Sequence, residues 1–132
     1  GSLLPVTPLV SVVPKAAASL WKLGAALGSP VLSVIAARTY GGAALHADAI
    51  KLSAKQVAML PLPRDAEWWQ KGAASFRAAS RAKSDDSRES HLREFAGHML
   101  RAYTIPANER GAILRWWSLR ALGPKRQPKA FL

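Results

Sequence analysis

The chain has 132 residues, no cysteine, and 19 lysines and arginines against 8 acids, a formal charge of +11. That length holds one ordinary domain, or a small sheet unit beside a helical one, but not a typical catalytic domain with a cofactor site as well. The missing cysteines remove disulfides, zinc knuckles and thiol nucleophiles together, and an apolar content of 49% excludes a disordered chain.

No run reaches the ~18 uncharged apolar residues of a membrane span, and no basic segment precedes an apolar one at the start. A cytoplasmic location without membrane attachment is expected. Gly1-Ser2 reads as a cloning remnant, and the absence of Met after it as a piece of something larger.

In chain order, "GSLLPVTPLVSVVP" is β-branched and bounded by prolines, which predicts a strand over residues 9–13. "KAAASLWKLGAALG" places Leu20, Leu23 and Leu27 on one helical stripe with Trp21 beside it. Gly28, Ser29 and Pro30 then suit a C-terminal cap, an N-cap and a first helical position, and a second helix over 30–39 carries Val31, Val34 and Ile35. Tyr40-Gly41-Gly42 breaks it.

Residues 43–63 leave two readings open. Ile50, Leu52 and Ala54 alternate with Lys51, Ser53 and Lys55, a strand period; alternatively, Ser53 caps a single helical turn, "AKQVAML". Leu60-Pro61-Leu62-Pro63 reads as an extended edge that closes one unit, because proline has no amide hydrogen and restricts the residue before it.

Beyond Pro63 the texture is helical. Asp65 can cap a helix over 66–83 whose apolar face uses Trp69, Ala73, Phe76 and Ala79 or Ser80. "KSDDSRES" breaks the chain, Asp86 or Ser87 starts another helix, and in it Leu92, Phe95, Ala96, Met99, Leu100 and Tyr103 recur at i, i+3, i+4, i+7, i+8 and i+11. After Ile105-Pro106 a last helix over 107–122 offers Ile113, Trp116 and Trp117 before Gly123-Pro124. The expected architecture is α+β and mostly helical: a small mixed α/β part over 1–63, a three-helix part over 64–122, and a flexible basic tail over 123–132.

No catalytic constellation emerges. His91 and His98 are seven residues apart, two helical turns and too far for one ion, and His46 with Asp48 lacks any nucleophile. "YGGAAL" has neither the P-loop lysine nor a dinucleotide fingerprint. Neither a metal nor a cofactor is expected in this chain.

Charge points elsewhere. Residues 61–132 carry 14 bases and 7 acids, and after Glu109 there are six bases and no acid, a bias that favours a polyanion. Adjacent tryptophans on a helix point about 100° apart, so at most one of Trp68-Trp69 and one of Trp116-Trp117 can fill the centre of a seam. The partner of each is left for the rim of a thin core or for an interface, with Trp68, Trp116 and Trp117 as the interface candidates.

Residues 29–63, "SPVLSVIAARTYGGAALHADAIKLSAKQVAMLPLP", resemble the closing segment of a target recognition domain in N6-adenine DNA methyltransferases and type I restriction-modification specificity subunits. The order of elements carries the likeness: the strand near Val10 to Val13, the Ser29-Pro30 helix start, Gly41-Gly42, the Ile50-Lys51-Leu52-Ser53 strand, and the Leu60-Pro61-Leu62-Pro63 exit into a long helix. The helix bearing "EWWQKGAASFRAA" and the tail bearing "AILRWWSLRAL" are similar to the C-terminal helical end of such enzymes. The family's Asn-Pro-Pro-Tyr type catalytic motif and its glycine-rich S-adenosylmethionine strand-turn are both absent.

The resemblance implies a DNA-binding specificity fragment that is not an enzyme by itself. Double-stranded DNA would be its partner, with a catalytic domain or subunit supplying S-adenosylmethionine, and a homo-oligomer left open. The residues expected at the duplex are Arg38, Thr39, Tyr40, His46, Lys51 and Lys55, with Arg77 and Arg81 as phosphate contacts. The rival reading is a helical docking or dimerisation module, built on Leu92, Phe95, Met99 and the tryptophan pairs, with incidental charge.

Overall fold

The apolar repeat from Leu92 to Tyr103 organises the molecule. In a computed structural model that describes residues 11–40 and 52–123, this repeat lies on α5 (Asp85–Ala102) and its C-cap, with Phe95, Ala96, Met99 and Leu100 essentially without solvent contact. Burial of Phe95, Met99 and Leu100 stabilises the fold by about 1.5–3 kcal/mol each. The other elements are a 3-10 turn (Ala17–Ser19), α1 (Leu20–Leu27), α2 (Pro30–Tyr40), α3 (Ala54–Ala58), α4 (Ala66–Arg81) and α6 (Ala107–Ala121).

Among the described residues there is no strand, so the mixed α/β part is corrected to helix. Ser11, Val12 and Val13 of the first predicted strand are irregular, with Val13 exposed; its other residues, like Ile50 and Lys51 of the second, lie outside the described residues. Ser53 begins α3 instead: its hydroxyl accepts from the Gln56 amide at 3.2 Å while the Gln56 side chain accepts from the Ser53 amide at 2.8 Å. This reciprocal capping box satisfies two otherwise orphaned amides, and that outweighs a short two-residue alternation.

The prolines at 61 and 63 stop α3 without ending any sheet. Pro63 is buried, and the amides of Arg64 and Asp65 both donate to the carbonyl of Ala102, at 2.9 and 3.0 Å. Ala102 ends α5, where carbonyls have no partner within the helix. The exit segment supplies one, then turns into α4, whose N-cap Asp65 accepts from the Trp68 amide at 3.0 Å.

α4 packs along α5 through small residues: Gly72, Ala73, Ser75 and Ala79 are buried, whereas Trp69 and Phe76 flank the seam half-buried. A Cβ at Gly72 would run into Met99 Sδ, so the close approach of the two helices requires glycine there. Phe76 is thereby turned toward α1, where its ring fills a notch at Gly24 and Gly28; a Cβ at Gly24 would lie 3.0 Å from its Cε1.

That notch sets the face of α1. Ala25 and Ala26 are buried, while Leu20 is 52% and Leu27 38% exposed, so the predicted leucine stripe does not line the core. α1 lies on α4 and α2 on α5 and α6, and Ala25, Val31, Leu32, Phe95, Met99, Leu100 and Trp117 share one apolar cluster. No single described helix is long and apolar enough to cross a membrane.

Candidate nucleic-acid interface

Gln70, Ala74, Arg77 and Arg81 fall at i, i+4, i+7 and i+11, one face of α4. This face meets the start of α1 across a groove of about 430 Å³, lined also by Trp21 and Lys22. Ala73, Ala74 and Ala78 keep its floor shallow. Three cations therefore share one open groove with no carboxylate among the described residues that line it.

Four of the described acids face bases outside the groove. Glu67 pairs with Lys71 at 2.9 Å, Asp85 with Arg88 at 3.1 Å and Glu89 with Arg93 at 2.6 Å, each within its own helix, and Glu94 lies 3.9 Å from His91. Among the described residues, Lys22, Arg77 and Arg81 take part in no ion pair. Two of them rest on indoles: Arg77 lies 5.8 Å from the centre of the Trp21 ring and Lys22 5.2 Å from that of Trp69. The Trp69 Nε1 also donates to the Lys22 carbonyl at 2.8 Å, which ties α4 to α1 at this point.

The structure brings Arg77 and Arg81 together and leaves Arg38, Thr39, Tyr40 and Lys55 apart from them. Arg38 and Thr39 are exposed and Tyr40 half-buried at the end of α2, and Lys55 is exposed on α3; none lines the groove. His46 and Lys51 lie outside the described residues.

Among the interface candidates, Trp117 is 6% exposed and stands edge-on to Phe95 in the core. Trp116 is half-buried under Arg120, 4.1 Å from its ring centre. Trp68 is half-buried and holds Lys71 at 4.2 Å, Arg101 at 4.6 Å and the His98 ring at 5.6 Å. Trp68 and Trp116 thus carry the protein's own cations on their faces.

Lys22, Gln70 and Trp21 were not among the expected site residues. Lys22 joins Arg77 and Arg81 only through the docking of α1 on α4, and the signal for that docking was the Gly24-x-x-x-Gly28 spacing opposite Phe76.

Elsewhere, the Ser75 hydroxyl lies 3.2 Å from His98 Nδ1, but no carboxylate orients the ring and Ser75 is buried in the helix seam. Among the described residues no three His, Cys, Asp or Glu side chains converge on a metal-sized site. No family model matches the chain, and neither a curated protein nor a solved structure matches it.

Proposed function

We propose that this chain is a DNA-contacting end of an N6-adenine DNA methyltransferase system, holding duplex DNA for methyl transfer carried out by another domain or subunit. One observation carries the reading: on a protein of net charge +11, Lys22, Arg77 and Arg81 line a single groove with no carboxylate among its described lining residues. Desolvated phosphates need paired cations, and cations not already matched by acids offer that pairing without first breaking an internal bridge. What directs the reading from polyanions in general to DNA is the sequence resemblance of the helical stretches after Pro63, since residues 11–13 and 52–53 do not form the strands that the likeness of 29–63 expected. S-adenosylmethionine and the methyl transfer belong to the catalytic partner, because the motifs that would hold and use the cofactor are missing from this sequence.

Binding of the full chain to a short DNA duplex, followed by fluorescence anisotropy, tests this. Affinity should fall steeply between about 50 and 200 mM salt as counterions are released. Absence of binding at 50 mM salt, or an affinity indifferent to salt, overturns it.

A second reading has its own observation. Phe95 and Met99, expected to carry a docking face, are buried in the core, but Leu20 and Leu27 on α1 and Leu119 on α6 are 52%, 38% and 50% exposed, apolar surface that a catalytic subunit or a second copy of the chain would cover. Association through such a surface changes little with salt, so the same titration separates the two.

A further inference from the structure

We propose that the groove between α1 and α4 reads the DNA backbone alone, and that Trp21 and Trp69 are positioning residues that aim its cations at phosphate oxygens. The inference rests on the DNA-contacting reading above and specifies what the contact recognises.

A tryptophan beside a cationic groove usually invites a stacked base. Here each indole already holds a cation of the groove, Trp21 that of Arg77 and Trp69, beside the groove, that of Lys22. A cation over a ring is held by the quadrupole yet keeps its N–H donors directed outward. The rings are themselves fixed. Trp21 packs edge-on to Phe76 at 6.2 Å, and Trp69 is anchored through Nε1 to the carbonyl of Lys22, the same residue whose ammonium it carries. Arg81, one helical turn beyond Arg77, continues the line of charge along α4.

Among the described residues the groove offers a base edge few polar groups besides these cations, Gln70 being the one side-chain amide in the lining. Phosphates fix register and orientation without reading sequence, so discrimination between DNA sequences has to arise outside this groove.

The test uses the full chain and two duplexes of equal length and unrelated sequence, titrated across salt. Replacing Lys22, Arg77 or Arg81 singly with Ala should lower the salt slope by about 1 each and weaken both duplexes by the same factor. Trp21→Leu should reproduce the Arg77→Ala change in slope, Trp21→Phe should restore it, and Trp21→Leu combined with Arg77→Ala should add nothing. Circular-dichroism melting confirms folding, and Arg77→Ala, at an exposed site, keeps the test open if the Trp21 variants unfold.

Unchanged slopes in the cation variants overturn the proposal while leaving DNA binding intact, as does a loss that differs between the two duplexes. Tripolyphosphate, followed through the Trp21 indole NMR signal, separates the two levels. A shift abolished by Arg77→Ala, in a protein that binds no duplex, retains the phosphate cleft and removes the DNA reading; no shift at millimolar tripolyphosphate removes the cleft.

Discussion

The Tyr103 hydroxyl donates a hydrogen bond to the Pro61 carbonyl at 2.9 Å, joining the C-cap of α5 to the proline exit 42 residues earlier. Together with the Ala102 carbonyl that receives Arg64 and Asp65, it locks the entry of α4 onto the end of α5. Proline at 61 withholds an amide but still presents a carbonyl, and Tyr103 uses it.

Burial pushes the Tyr103 hydroxyl up from 10.0 to about 12, opposed in part by a hydrogen bond from the Ser29 side chain. The neutral phenol is the folded form. Its contribution is complete below pH 10, where the unfolded tyrosine is still protonated, and is lost as pH rises through about 12. Two units correspond to roughly 2–3 kcal/mol. Tyr103→Phe should therefore be less stable than the parent by about 1 kcal/mol at pH 7, from the lost hydrogen bond, and the order should invert between pH 10 and 12. Urea unfolding at pH 7, 9, 10.5 and 11.5 checks it; parallel curves would show that the hydroxyl titrates without linkage to folding.

Thr104 has φ 57, the left-handed region that a β-branched residue avoids. It follows the C-cap of α5, where the Ile105 amide donates to the Leu100 carbonyl at 3.0 Å and the Thr104 amide to that of Arg101 at 2.9 Å, the paired bonds of a Schellman motif. Glycine relieves the strain of roughly 1–2 kcal/mol but adds unfolded-state entropy. Thr104→Gly should raise stability by about 0.5–1 kcal/mol, seen as a higher thermal midpoint; a lower midpoint would mean that the threonine side chain contributes more than its strain costs.

Periodicity and caps made most of the helices legible, because they depend on neighbours three and four residues away. The Ser29-Pro30 start, the Asp65 cap and the α5 stripe all form from such local relations. The faces of α1 and α4 were not legible in the same way. Of the expected α4 face, Ala73 and Ala79 do take the seam, joined by Gly72, because two helices that approach closely bury their small residues, whereas Trp69 and Phe76 are displaced to its flanks and Leu20 and Leu27 of α1 face outward. The groove inherits this dependence: Arg77 and Arg81 were visible as neighbours on one helix, and Lys22 joined them only when Phe76 entered the Gly24 notch.

The Gly72 to Met99 contact makes that packing testable. A methyl at position 72 would meet Met99 Sδ and lie 3.1 Å from its Cγ, and Met99 is fully buried with little room to turn. Gly72→Ala should destabilise by about 1–2 kcal/mol, overpacking exceeding the ~1 kcal/mol gained in helix propensity. Met99→Ala should cost about 2–5 kcal/mol through its cavity. In that background Gly72→Ala should become neutral or stabilising, since the new methyl enters the vacated space. Additive effects in the double-mutant cycle would show that the two sites do not share a wall.

Ser29 and Ser53 cap helices in opposite surroundings. Ser29 is fully buried; its hydroxyl accepts from the Leu32 amide at 3.2 Å, and its carbonyl receives both the amide and the hydroxyl of Ser33, at 3.1 and 2.9 Å. Ser53 is exposed and starts a helix of five residues. Removing the Ser29 hydroxyl leaves the Leu32 amide buried without water to replace the bond, so Ser29→Ala should cost about 1–2 kcal/mol. At Ser53 water takes over the freed amide and α3 frays on its own, so Ser53→Ala should shift global stability by less than about 0.5 kcal/mol. Urea midpoints of the two variants decide the matter: equal losses would mean that α3 unfolds together with the α4–α5 core rather than ahead of it.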